Sequence, residues 1–116
     1  MKIVLPPGVL YDQALLDTTA QLLLGEIIDE QVIPKDVGTL EASHHVAPHP
    51  EERRADINAA TPYARRLYMH PEYDFRQGEN RNAKGRWFED WEPGGREAGR
   101  AAQIYAALWA KKYGGK

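Results

Sequence analysis

Arg53-Arg54-Ala55-Asp56-Ile57-Asn58-Ala59-Ala60 is the stretch that decides the fold. From Arg54 onward polar and apolar residues take turns: Arg54, Ala55, Asp56, Ile57, Asn58, Ala59. Successive side chains of a strand point to opposite faces, so this pattern reads as a β-strand over 53–60 with one solvated face. Ahead of it, Pro48, Pro50 and the acidic pair Glu51-Glu52 suit a hairpin connection. The partner strand is expected over 39–46, where His44 and His45 interrupt the alternation.

Further toward the start, Leu16, Ala20, Leu23, Leu24, Ile27, Ile28 and Val32 recur at three- and four-residue steps. That spacing predicts a helix over 9–31 with one wide apolar face. Pro34 lacks a backbone N–H and disfavours helical geometry at Ile33, so the helix stops before it. Residues 1–8 read as an extended arm that turns at Pro6-Pro7-Gly8, and Lys35-Asp36-Val37-Gly38 as a turn. After the hairpin, Thr61 is expected as N-cap and Pro62 as first residue of a helical turn over 63–69. A last helix is expected over 96–113, with Ala101, Ile104, Tyr105, Leu108 and Trp109 on one face and Gly114-Gly115 ending it.

These elements make one α+β domain over 1–116, two helices packed on a small antiparallel sheet, with a long structured loop over 70–95. A two-stranded hairpin is marginal alone, so the sheet gains a strand from residues 1–5, from the loop, or from a neighbouring subunit. The loop holds Gly78, Gly85, Gly94, Gly95, Pro71 and Pro93, yet also Tyr73, Phe75, Trp87, Phe88 and Trp91. So much aromatic area does not fit plain disorder and points to docking against something. Trp87, Phe88 and Trp91 either bury beneath the loop or plug a pocket on the next subunit. Tyr63, Arg65, Arg66 and Tyr68 raise the same choice: a subunit contact built from residue types that anchor interfaces, or Tyr63 and Leu67 in the core with solvated arginines.

A charged fraction of 28% beside 42% hydrophobic residues is that of an ordinary soluble domain. The net charge of −2 gives no general electrostatic reason to bind nucleic acid. Arg76, Arg81, Lys84 and Arg86 are interleaved with Glu79, Glu89, Asp90 and Glu92. Such mixed charge suits a solvated surface or a salt-bridged contact, with contact to DNA as the alternative. Cysteine is absent, which removes disulfides and thiolate metal sites. No stretch reaches the roughly 18 apolar residues of a membrane span. His44, His45, His49 and His70, with Glu51 or Asp56, raise a metal-dependent enzyme or nuclease as an alternative. Adjacent residues of a strand face opposite ways, however, so His44 and His45 reach one ion only across a bulge, and the spacing matches no standard zinc pattern. Ser43 lies in no Gly-x-Ser-x-Gly elbow and no phosphate-cradling glycine loop is present. No catalytic, cofactor-binding or metal-ligating residue is therefore assigned.

Three segments carry a resemblance. Ile33-Pro34-Lys35-Asp36-Val37-Gly38-Thr39-Leu40-Glu41-Ala42-Ser43, Thr61-Pro62-Tyr63-Ala64-Arg65-Arg66-Leu67-Tyr68 and Asn82-Ala83-Lys84-Gly85-Arg86-Trp87-Phe88-Glu89 follow one another in that order. Together they resemble elements of small bacteriophage minor capsid or tail-component proteins, which join head to tail; Val37 stands where that family usually has Thr. The resemblance implies a structural virion protein, not an enzyme, with no cofactor. It implies a homo-oligomeric ring in the neck, formed in the host cytoplasm and nearest the tail-completion proteins, with head-closure and tail-terminator proteins as alternatives. The implied partners are copies of itself, adjacent head-closure proteins and the tail terminator or tail tube, with genomic DNA passing through the lumen and no membrane. The expected interface comprises Tyr63, Arg65, Arg66, Tyr68, Tyr73, Phe75, Arg86, Trp87, Phe88 and Trp91. A non-viral adaptor that binds one partner through the aromatic loop is a further alternative.

Overall fold

The computed structural model describes residues 1–5, 8–34, 39–61, 63–72 and 81–114. The elements are β1 (Lys2–Val4), α1 (Gln13–Asp29), α2 (Thr39–Ala42), β2 (His44–His49), β3 (Arg54–Ala59), α3 (Ala64–Tyr68) and α4 (Arg100–Tyr113), with short 3-10 turns at Pro50–Glu52 and Glu89–Trp91. This is an α+β domain: four helices and a three-stranded antiparallel sheet in the order β1-β3-β2.

The alternating stretch is the central strand. Its register sets Ile3 opposite Ala55 on one side and Val46 opposite Ile57 on the other. Ala55 and Ile57 are fully buried on the face that meets α1. The opposite face departs from expectation at Asp56, which is buried instead of solvated. Arg54 covers it with two hydrogen bonds (Nε to Oδ1 at 2.7 Å, Nη2 to Oδ2 at 3.0 Å) and His49 Nε2 lies 3.4 Å from Oδ2. Burial raises the Asp56 pKa, and the guanidinium with its hydrogen bonds outweighs that and leaves it below the usual carboxylate range.

The third strand comes from the chain's own start. Met1 extends the β1 ladder, its nitrogen donating to Ile57 O and Ile57 N donating to Met1 O, each at 2.8 Å. The strand expected over 39–46 is displaced. Residues 39–42 form the helical turn α2, which buries Leu40, and the strand proper runs His44–His49. It passes through Pro48, which an edge strand tolerates because its missing N–H need not face a neighbour. The chain reverses at Pro50–Glu52 and Arg53, which takes the left-handed conformation with φ 52°.

α1 is shorter than the apolar period suggests. Asp12 caps it, its side chain accepting from Leu15 N at 3.1 Å, which leaves 9–11 outside the helix. At the other end Gln31 turns left-handed (φ 59°), so the helix closes ahead of Pro34. Leu16, Ala20, Leu23, Leu24 and Ile27 are buried as the period requires; Thr19 joins them, its hydroxyl bonded to Leu15 O at 2.8 Å. Likewise α4 starts at Arg100, because 96–99 are taken up in turns: Glu97 N reaches Asp90 O at 2.6 Å. Gly95 is required in that arrangement, since a Cβ there would stand 2.2 Å from Glu89 O. Thr61 does not act as the side-chain cap of α3; Tyr63 occupies the cap position, without a side-chain bond. The turn expected at 35–38 and the residues Pro6, Pro7, Pro62, Gly115 and 73–80 lie outside the described residues.

α4 lies along α1 and is fastened near both ends. Arg100 makes a forked contact with Glu26 (Nη2 to Oε2 at 2.6 Å, Nε to Oε1 at 2.9 Å). Lys112 Nζ donates to Asp12 Oδ2 at 2.8 Å, and Tyr105 Oη donates to Leu10 O at 2.7 Å while accepting from Asp12 N at 3.0 Å.

Ile27→Ala removes a fully buried side chain between these layers. It is expected to lower stability by about 2–5 kcal/mol. Leu22→Ala, on the exposed side of the same helix, is expected to stay within about 0.5 kcal/mol. Urea unfolding followed by far-UV circular dichroism checks both.

Candidate assembly surface

α4 and the Met1–Leu5 segment flank α1. Between them runs an open groove of about 1040 Å³. Leu16 and Leu23 of α1 form its floor, Met1–Leu5 one wall, and Ala98, Ala101, Ala102, Tyr105, Ala106 and Trp109 the other, with Trp91 at its end. The rim leaves Val4 56% and Leu10 66% exposed. Apolar side chains at such exposure, contiguous with a groove, make this a candidate binding surface.

The wall formed by β1 adds a second property. β1 pairs with β3 on one side only, and no strand among the described residues pairs with its other edge. Such an edge presents unpaired N–H and C=O groups to an extended segment. Lys2 and Glu92 supply polar groups at the rim.

Of the described interface residues expected from sequence, Trp91 alone lines this groove. Trp87 is 1% exposed, and Phe88 and Trp91 are also buried in the core, so of the two readings for these rings it is burial within the fold that the structure adopts. The reason is a stitched segment. Asn82 N donates to Gln31 O at 3.1 Å, Lys84 N to Val32 O at 3.0 Å, and Arg86 N to Tyr68 O at 2.9 Å, which lays 82–86 on the core and points Trp87 inward. Gly85 makes this approach feasible, because a Cβ would come within 2.7 Å of Pro71 Cα. Tyr68 is half-buried, its ring 4.8 Å from that of Trp87 and its hydroxyl 3.3 Å from Glu92. Tyr63, Arg65, Arg66 and Arg86 lie at the surface, and Tyr73 and Phe75 fall outside the described residues. Of the basic residues considered for DNA, Lys84 is paired with Asp90 at 3.3 Å, Arg81 is exposed, and Arg76 is outside the described residues.

The histidines separate. His44 is buried with both ring nitrogens engaged, His45 is exposed on the opposite face, His49 turns to Asp56 and Glu51, and His70 pairs with Glu72 at 2.8 Å. Among the described residues no group of three or more His, Asp or Glu side chains is placed to hold a metal ion. No described helix is long and apolar enough to cross a membrane.

No family model, curated protein or solved structure matches the chain. The resemblance to tail-component proteins therefore rests on the three sequence segments alone. The groove was not legible in the sequence, because its two walls come from opposite ends of the chain. The available signal was the short apolar Ile3-Val4-Leu5 run together with the alanine-rich face of the last helix.

An apolar dye offers a direct test. The folded protein is expected to enhance the fluorescence of anilinonaphthalene sulfonate. Placing charges on the α4 wall with Ala102→Glu and Ala106→Glu is expected to abolish most of that signal without changing stability by more than about 0.5 kcal/mol, since both positions are exposed.

Proposed function

We propose that this protein is a structural assembly subunit, a tail-completion protein of a phage neck that forms a homo-oligomeric ring between head and tail. The observation that carries the assembly reading is the apolar groove lying beside an unpaired strand edge. The phage setting is carried by the sequence resemblance. A neighbouring copy covers the groove with apolar side chains while its backbone meets the β1 edge, the recognition mode of strand addition. The contact is heterologous, groove to another surface, and closes into a ring when the rotation per subunit divides the circle. Head-closure and tail-terminator subunits share this logic and differ in which layer they occupy.

Size-exclusion chromatography with light scattering is expected to find a multimer of wild-type protein at high concentration and a folded monomer for Ala106→Glu. A wild-type monomer at every concentration would count against self-assembly. In the phage, loss of the gene is expected to leave full heads beside separate tails of normal length. Tails of irregular length would move the assignment to a terminator, and normal infectious virions would remove it.

A further inference from the structure

His44 is the one buried histidine among the described residues, and its hydrogen bonds fix its protonation. Nδ1 stands 2.8 Å from Leu40 O. A carbonyl only accepts, so Nδ1 carries the ring proton. Nε2 stands 3.0 Å from Trp87 Nε1. An indole nitrogen only donates, so Nε2 must offer its lone pair. The pair is thus compatible with one tautomer of the neutral ring. A proton added at Nε2 faces the indole N–H with no acceptor between them.

The rings around it turn this local conflict into a segment-wide one. Phe88 packs edge-on against His44 with centroids 5.6 Å apart, and Tyr68 packs edge-on against Trp87. Trp87, Phe88 and Trp91 belong to the same short segment, and Trp91 forms the end of the groove. We infer that the His44–Trp87 pair is an acid-released latch: protonation of His44 frees Trp87 and Phe88 from the core and thereby reshapes the end of the groove at Trp91.

The groups facing the pair do not cancel this. Burial lowers the His44 pKa from its ordinary value, while the Leu40 carbonyl and the Glu41 carboxylate oppose that and the Met1 amino group adds to it. Tyr68, facing Trp87, has its own pKa raised by burial and by Glu92, so it stays neutral across the range concerned. With the closed-state pKa below the open-state value of about 6.5, the latch is fully closed above that pH and is lost as pH falls through the lower, closed-state value. Within that window one proton is taken up per opening, so the open-to-closed ratio rises about tenfold for each unit of pH.

The test uses the indole N–H signals of Trp87, Trp91 and Trp109 in ¹H–¹⁵N spectra from about pH 7.5 to about pH 4.5; ordinary glutamates titrate at the low end of that range, so the His44→Gln variant supplies the background. The expected result is that the Trp87 signal shifts or is lost first and Trp91 moves with it, while Trp109 and the far-UV circular dichroism stay unchanged. His44→Gln, which keeps an acceptor near the Nε2 position but cannot titrate, is expected to hold the Trp87 signal constant. Should that variant not fold, the Cε1–H shift of His44 in the wild-type protein is expected to titrate at the same midpoint as the Trp87 signal. A Trp87 signal unchanged down to pH 4.5, or one lost together with Trp109 and the circular dichroism, overturns the latch.

Discussion

The demand that shapes this domain is the covering of α1. Its apolar side is wider than a three-stranded sheet can hide, because β1 spans only Lys2–Val4. The sheet takes one flank through Ala55 and Ile57, and α4 takes another with Ile104 and Tyr105. What remains is filled by an irregular segment whose aromatic rings do the work that a fourth strand or a further helix does in a larger fold. The hydrogen bonds from 82–86 to residues 31, 32 and 68 are the means of holding that segment against the core. Buried Trp87 follows from the geometry of this filling, and His44 is the polar partner its indole N–H requires.

Regular periodicity was readable, and its exceptions trace to single side chains. The apolar steps of α1 and the alternation of β3 survive because each pattern faces one continuous layer. Boundaries were set by groups that the period does not register: the Asp12 cap, the left-handed Gln31, and the turns that occupy 96–99. The helical turn at 39–42 was hidden because four residues are too few to show a period. Asp56 read as solvated because its cover, Arg54, is its neighbour two residues away on the same face. Trp87, Phe88 and Trp91 were legible as docking residues, while their destination depended on main-chain bonds with no side-chain signature.

The groove and the latch sit at the two sides of the same filling segment. Trp87 and Phe88 face the sheet side near His44, and Trp91 faces the space between β1 and α4. A change that loosens one is transmitted to the other through three residues of chain. No long-range rearrangement is needed for a core histidine to influence an outer surface. Coupling of this kind needs only that one short element contributes to both places.

The two edges of the sheet are unlike each other. β2 carries Pro48, which cannot donate a main-chain hydrogen bond, and the strand is cut off by Pro50 at the following turn. β1 carries no proline within Lys2–Val4, although Pro6-Pro7 follow it in the sequence, and it borders an apolar trough. Extension of the sheet is thereby polar: a newcomer strand finds a template at one margin and an obstacle at the other. Pro48 works against edge-to-edge pairing at the β2 margin, while the β1 margin has no partner strand among the described residues.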